Sequence, residues 1–124
     1  MSNVKCLGRL SRPALVEAME RAWVLAIPTY ADTGPSIVKE ARVLGLPVVT
    51  TEAAGASHYI GDSDAGRVIP VGDVESLAGA LKEVMASRAV CLEIGRKGWH
   101  EHREVFRPES SACQFAELYR TLIR

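Results

Sequence analysis

Residues 23–51, WVLAIPTYADTGPSIVKEARVLGLPVVTT, carry the pattern that decides the fold. The segment opens on a nearly continuous apolar run at residues 23–28, which is typical of a strand buried on both faces of a sheet. A helical stretch follows and Gly45 ends it, since glycine is the common residue just past a helix C-terminus. Residues 47–51 (PVVTT) then form the next strand. This strand–helix–strand order predicts two parallel strands of one sheet.

The rest of the chain continues the alternation of strands and helices. Residues 4–7 are predicted as a short strand closed by Gly8, and Ser11 caps a helix that has Pro13 in its first turn. The later elements are a short helical stretch near residues 57–60, a strand at 67–70, a helix capped by Asp73, and helices over 88–99 and 109–124. The sequence therefore predicts an α/β fold: a Rossmann-like three-layer αβα domain over residues 1–124, with a mostly parallel sheet of about four strands.

Composition excludes several functional classes. Lys plus Arg and Asp plus Glu each number 15, so the formal net charge is zero, whereas a nucleic-acid-binding protein usually carries a basic excess or stripe. The three cysteines, Cys6, Cys91 and Cys113, are odd in number and widely spaced, which argues against a disulfide framework or a zinc site. The N-terminus has no apolar signal core, and no apolar run is long enough to span a bilayer. We therefore expect a cytoplasmic protein without a metal cofactor, a nucleic-acid partner or an integral membrane segment.

The loop and the helix start that follow residues 23–28 make a candidate anion site. In open α/β sheets, ligands sit beyond the carboxyl ends of the strands. A helix begins at Pro35, and its first backbone N–H groups and its positive dipole end favour an anion. Gly34 lets a ligand approach the backbone closely, and Ser36 adds a hydroxyl. Together these groups predict a cradle for a diphosphate.

Two carboxylates flank this cradle. Glu40 lies five residues past Pro35, roughly 7–8 Å along the helix axis at ~1.5 Å per residue, on the same helix face as Ser36. A carboxylate at that depth can accept both hydrogen bonds of a ribose diol. Asp32 precedes the helix, on the other side of the phosphates, where a transferred sugar would lie. The alternative interpretation is an ordinary turn and cap, with Glu40 as a solvated helix residue.

The same residues carry a resemblance to a known family. The pattern consists, in chain order, of Asp32, seven residues, Glu40-Ala41, GLPVV at 45–49, Ala54-Gly55, and Gly72-Asp73 before an amphipathic helix. In this order the chain resembles the donor-nucleotide-binding domain of retaining GT-B glycosyltransferases, of the glycosyl transferases group 1 type. The resemblance extends from about residue 4 to residue 119.

The resemblance implies a donor site and a reaction. It implies that Glu40 holds the ribose of a nucleotide sugar and that Asp32, the candidate catalytic residue, contacts the transferred sugar. The other expected contacts, to the sugar, the distal phosphate or the base, are Gly34, Pro35, Ser36, Gly8 and Arg9. The implied ligand is a UDP-, GDP- or ADP-sugar or the corresponding nucleoside diphosphate, without a metal. The implied reaction is hexosyl transfer.

Three departures from the family pattern bear on activity. The first acidic residue is usually Glu and is Asp32 here, and His58 stands where the family has a Glu after its Gly-rich turn. The family's strand and helix whose Arg and Lys neutralise the diphosphate, and its N-terminal acceptor domain, have no counterpart in this sequence. Because a leaving diphosphate needs such cations, we expect a donor-binding part, truncated at its N-terminus and inactive alone.

Three interpretations remain open at this stage. In the first, the chain is a piece of a retaining glycosyltransferase whose missing half lies elsewhere or has been lost, and the expected protein partners are that missing N-terminal domain or a second copy of the chain. In the second, the chain is a non-catalytic nucleotide-binding or protein-interaction module derived from that fold. In the third, it is an unrelated flavodoxin-like protein, which would share the alternation of elements but not the spacing of Asp32 and Glu40.

The resemblance also implies a sheet order. The missing family strand would lie between residues 4–7 and residues 47–51, and its loss would leave two rows of unpaired backbone groups. The favoured repair pairs residues 4–7 directly with residues 47–51, which gives the strand order 2-1-3-4. The other repair brings in a strand or a surface of a second chain.

Overall fold

Three short parallel strands make the sheet in the part of the chain that the structure describes. The computed structural model describes residues 3–55, 57–60 and 64–123. Strands β1 (Leu25–Ile27), β2 (Val48–Thr51) and β3 (Gly66–Ile69) lie side by side in that order. Leu25 is opposite Val48, and all four residues of the central strand β2 are buried. The predicted α/β, Rossmann-like arrangement around a parallel sheet is confirmed.

Helices connect and follow the strands. They are α1 (Arg12–Arg21), α2 (Ser36–Val43), a short 3-10 helix (Ser57–Tyr59), α3 (Val74–Val84), α4 (Arg88–His102) and α5 (Pro108–Leu122). The predicted cap at Asp73 is confirmed, since its side chain accepts a hydrogen bond of 2.9 Å from the backbone N–H of Ser76. Ser11 stands at the predicted N-cap position of α1, but its side chain makes no capping hydrogen bond. Within the described ranges no helix is long and apolar enough to cross a bilayer.

Two apolar layers lie on opposite faces of β2, because successive side chains of a strand alternate between faces. Val48 belongs to the layer under α1 and α2, whose other buried members are Met19, Val38, Ala41, Leu46 and Ile60. Val49 belongs to the layer under α3 and α4, whose other buried members are Ile69, Ala80, Val84 and Ile94. The helices therefore cover both faces of the sheet, as the three-layer prediction required.

The predicted first strand is wrong. Residues 4–7 form no strand, and Val4 and Leu7 are 62% and 52% exposed. β1 and β3 fill both edges of β2, so no place remains beside residues 47–51 for the predicted order 2-1-3-4. In the described part of the chain the sheet has three strands rather than four. β1 is one of the two edge strands and Ala26 is exposed, so the predicted burial of β1 on both faces is also wrong.

A buried arginine ties α2 to α4. The Arg42 side chain has no exposed surface, and its Nη1 donates to the carbonyl oxygen of Ala65 at 2.8 Å. Its Nη2 donates to Oε2 of Glu101 at 3.0 Å and lies 2.7 Å from Nδ1 of His102. That nitrogen accepts, because a guanidinium has only donors. Burial lowers the pKa of Arg42, and the charge of Glu101 opposes that shift. The placement of α2, which begins at the predicted anion site, thus depends on α4.

Glycines let α2 and α4 approach each other. A Cβ on Gly95 would overlap the carbonyl oxygen of Gly45, and a Cβ on Gly98 would lie 2.8 Å from Nη1 of Arg42. Gly45 has a φ of +72°, so the turn that ends α2 also favours glycine. The contact between the two helices therefore leaves no room for side chains at these α4 positions.

We expect Gly95→Ala to lower the free energy of unfolding by about 1–3 kcal/mol, because the added methyl group pushes α4 away from Gly45. Gly79→Ala in α3 is the matched control, since a Cβ there meets no atom within 4 Å. It should raise the free energy of unfolding by about 0.4–1 kcal/mol. Urea titrations followed by circular dichroism give both values. Equal stabilities of the two variants would contradict the close helix contact.

A second prediction concerns pH. The pKa of His102 is lowered, first by burial and then by the positive charge of Arg42. Between the ordinary histidine value of about 6.5 and the lower folded value, the unfolded chain binds a proton that the folded chain does not bind. The free energy of unfolding should therefore decrease as the pH falls from about 7 to about 5, and His102→Gln should flatten this slope.

The control for this experiment is His100→Gln, since His100 is exposed on the same helix. Urea titrations at several pH values give the free energy of unfolding as a function of pH. For His100→Gln this dependence should have the same slope as for the wild type. A slope for His102→Gln as steep as that of the wild type would show that His102 does not carry the effect.

Candidate functional site

Two buried threonines hold the loop that leaves β1. Oγ1 of Thr50 donates to the carbonyl oxygen of Ile27 at 3.1 Å, and Oγ1 of Thr51 donates to that of Thr29 at 2.6 Å. Both threonines are buried in β2. The sequence reasoning gave them no role, although hydroxyl side chains at the end of a buried strand must find hydrogen-bond partners nearby. Their bonds fix the path of the chain as it enters the predicted site.

Asp32 is bonded within its own loop. Its Oδ1 accepts from the backbone N–H of Gly34 at 2.9 Å, and its carbonyl oxygen accepts from the N–H of Gly55 at 2.7 Å. Gly55 packs so closely that a Cβ there would lie 2.6 Å from the carbonyl oxygen of Thr33. Asp32 is exposed, and its Oδ2 makes no hydrogen bond with the described residues. The loop therefore holds this carboxylate in front of α2 with one oxygen open to solvent.

The start of α2 presents unbonded backbone donors. Pro35 is the N-cap residue and provides no side-chain cap. The N–H of Gly34 is taken by Asp32, whereas those of Ser36 and Ile37 bond to nothing in the described ranges. Gly34 has a φ of +135° and open space where a side chain would lie. The helix end predicted as an anion cradle thus combines two open donors with the positive end of the helix dipole.

Glu40 lies one turn further along α2, in an open groove of about 330 Å³. The groove is lined by Arg12, Val16, Ser36, Lys39, Glu40, Val43, Leu44 and Phe106. Ser36 and Glu40 therefore share one helix face, as their spacing predicted. Oε1 of Glu40 accepts from Nη1 of Arg12 at 3.0 Å, and the Glu40 side chain is 21% exposed against 72% for Arg12. We refer to this space as the Glu40 groove.

Not all of the predicted contacts lie in the Glu40 groove. Asp32 sits on the loop before α2 and does not line the groove. Gly8 and Arg9 are exposed on the segment before α1, and Arg9 makes no hydrogen bond or ion pair with the described residues. Arg12, three residues later, is the side chain that reaches Glu40. No local sequence pattern indicates this pairing.

A smaller cavity of about 150 Å³ lies at the carboxyl ends of the strands. Its lining includes Pro28, Tyr30, Thr51, Pro70 and Asp73. The Asp73 carboxylate accepts hydrogen bonds from the hydroxyl and the N–H of Ser76, which lower the pKa of Asp73 and keep it charged. A negative side chain thus already occupies the start of α3, so this cavity does not suit a phosphate. No group of three or more His, Cys, Asp or Glu side chains able to hold a metal ion is found in the described part of the chain.

Comparison with known proteins places the chain in a family. Residues 2–101 match the family described as glycosyl transferases group 1. A D-inositol 3-phosphate glycosyltransferase of Kribbella flavida is 28% identical over 112 residues, which are 90% of this chain and 26% of that protein. The lipopolysaccharide glucosyltransferase WaaG of Escherichia coli K12 is 42% identical over 53 residues, which are 43% of this chain and 14% of that protein. The chain spans about a quarter of the length of the first curated relatives that it matches.

Solved structures agree with this placement. The sucrose-phosphate synthase from Thermosynechococcus elongatus superposes with a TM-score of 0.86 at 25% identity, over 98% of this chain and 31% of that chain. WaaG, a glycosyltransferase involved in lipopolysaccharide biosynthesis, superposes with a TM-score of 0.67 at 28% identity, over 81% of this chain and 27% of that chain. The chain therefore belongs to the glycosyl transferases group 1 family, whose members use nucleotide-sugar donors, and has the Rossmann-like fold of GT-B glycosyltransferases.

Proposed function

We propose that the chain binds the nucleotide-sugar donor of a retaining glycosyltransferase, with the ribose at Glu40 and the diphosphate at the start of α2. The observation that carries the proposal is the shared helix face of Ser36 and Glu40, with two N–H groups at the helix end that bond to none of the described residues. A diphosphate suits backbone donors and a positive dipole end, whereas a ribose diol suits a carboxylate. The N–H donors and the Glu40 carboxylate follow one another along α2, as the diphosphate and the ribose follow one another in a nucleotide.

The state of Glu40 supports ribose binding. A carboxylate can accept about four hydrogen bonds, and Arg12 is bonded only to Oε1. Oε2 therefore stays available for the two hydroxyl groups of a ribose. The Glu40 side chain is four-fifths covered and bonded to Arg12, which limits the number of conformations open to it before a ligand binds.

The remaining predicted residues are assigned by their position around this core. Asp32 is proposed to contact the transferred sugar through Oδ2, since its Oδ1 is bonded to Gly34. Gly34 and Pro35 are proposed to contribute close backbone approach rather than free donors. Gly8 and Arg9, on the exposed segment before α1, are proposed to lie near the base.

Charge supports a second candidate function, a module that binds nucleotides without transferring sugar. The cations that line the Glu40 groove are Arg12 and Lys39. Lys39 Nζ lies 4.9 Å from the centroid of the Tyr59 ring and 5.8 Å from that of Phe106, so its charge is directed at aromatic rings. A leaving diphosphate needs cationic stabilisation in the transition state, and one arginine is a small part of such a clamp. In this second candidate function the chain binds a nucleotide but does not transfer sugar.

The binding prediction is tested with Glu40→Gln, which keeps the shape of the side chain and removes its charge. Loss of charge-assisted hydrogen bonds worth about 1.5–3 kcal/mol should weaken nucleoside diphosphate binding roughly 10- to 100-fold. Isothermal titration calorimetry against UDP, GDP and ADP gives the dissociation constants. Glu117→Gln, an equal charge change at an exposed position of α5, is the control and should bind like the wild type. Unchanged binding by Glu40→Gln would remove Glu40 from the site, and tighter binding would show that its charge repels the phosphates more than it holds the ribose.

The transfer prediction is tested with the 124-residue chain by itself. We expect no sustained release of nucleoside diphosphate from UDP-, GDP- or ADP-sugars in a coupled assay, because a leaving diphosphate needs several cations and, among the described residues that line the Glu40 groove, Lys39 is directed at aromatic rings and Arg12 is paired with Glu40. Turnover that Asp32→Asn abolishes would contradict this expectation and would assign Asp32 to catalysis. The asparagine variant is chosen because its amide oxygen can still accept the hydrogen bond from Gly34.

A further inference from the structure

Arg12 is the residue of the Glu40 groove whose role the family pattern leaves open. It is the first residue of α1, lies 28 positions from Glu40 in the sequence, and reaches that carboxylate through Nη1 at 3.0 Å. Its side chain is 72% exposed and makes no other hydrogen bond or ion pair with the described residues. The arginine is therefore held only at its tip and can also face a ligand in the groove.

A carboxylate and a diphosphate in one site are both negatively charged. The carboxylate recognises hydroxyl groups well, but its negative charge repels the phosphates of the same ligand at short range. The effect is largest for a nucleoside diphosphate, which carries about three negative charges at neutral pH, and is absent for the uncharged nucleoside. A cation bonded to the carboxylate removes this repulsion. Arg12 is placed to do so, whereas Lys39 is directed at Tyr59 and Phe106.

We propose that Arg12 is a specificity-determining residue that neutralises Glu40 and thereby selects nucleoside diphosphates over uncharged nucleosides. This inference rests on the proposed function of Glu40. The opposite role, competition between Arg12 and the ribose for the carboxylate, is disfavoured by capacity: Arg12 bonds to one oxygen, and Oε2 has no hydrogen bond with the described residues. Arginine and ribose can therefore be held at the same time.

The test compares Arg12→Ala, Arg12→Lys and a control for adenosine and ADP, and for uridine and UDP. Ligand-observed NMR reaches the millimolar dissociation constants expected of the nucleosides. Arg12→Ala should weaken diphosphate binding about three- to tenfold and change nucleoside binding less than about twofold. Arg12→Lys, which restores the charge, should recover most of the loss. Arg21→Ala is the matched control, because Arg21 lies at the other end of α1 and pairs with Glu17.

Salt gives an independent readout. The difference between the wild type and Arg12→Ala for a diphosphate should shrink as ionic strength rises from about 0.05 M to about 0.5 M, since exposed charges are screened. A purely steric or structural role of Arg12 would leave that difference unchanged.

Other binding results would contradict either the role of Arg12 or the proposed function. Tighter binding by Arg12→Ala would make Arg12 a competitor of the ribose. Equal losses for diphosphate and nucleoside would make it a positioning group without charge selectivity. If Arg12→Ala binds the diphosphate like the wild type while Glu40→Gln binds it more weakly, the role of Arg12 is rejected and the proposed function stands. A wild-type chain that binds no diphosphate, or binding that Glu40→Gln does not affect, would reject the proposed function and the role of Arg12 together.

Discussion

The buried guanidinium of Arg42 is the interaction on which the placement of α2 depends. A charge without exposed surface destabilises a fold unless it is paired and hydrogen-bonded, and here Glu101 on α4 and the carbonyl oxygen of Ala65 before β3 accept hydrogen bonds from its two terminal nitrogens. The glycines of α4 follow from the same contact, because a side chain at Gly95 or Gly98 would strike Gly45 or Arg42 itself. Loss of the partners of Arg42, or a side chain in place of Gly95 or Gly98, would let α2 move relative to the sheet.

This constraint gives α2 two faces with different tasks. Val38, Ala41 and Arg42 are buried and hold the helix against the sheet and α4. Ser36 and Glu40 face the open groove, on a helix whose backbone is already fixed. A recognition group on a rigid element loses little conformational freedom when a ligand binds. The hydrogen bonds of Asp32 and Thr51 likewise hold the loop on the sugar side of the proposed site in one conformation.

The sequence predicted the features that neighbouring residues encode. The start and end of α2, the Asp73 cap and the shared face of Ser36 and Glu40 all depend on residues within about two helical turns. Residues 4–7 were wrongly predicted as a strand because a short apolar run does not encode a pairing partner, and the predicted partner β2 is already paired on both sides by β1 and β3. The pairs Arg42–Glu101 and Arg12–Glu40 join residues 59 and 28 positions apart, and no local pattern encodes such distances.

The central claim is that a nucleotide lies along α2, and amide chemical-shift mapping tests it most directly. In ¹⁵N-labelled protein titrated with a nucleoside diphosphate, the largest shifts should fall on the amides of Ser36 and Ile37 and continue along the helix to Glu40. The amides at the start of α3, near Asp73, should move little, because a carboxylate already occupies that helix end. Shifts that cluster at the start of α3, or saturable shifts that avoid α2, would contradict the account.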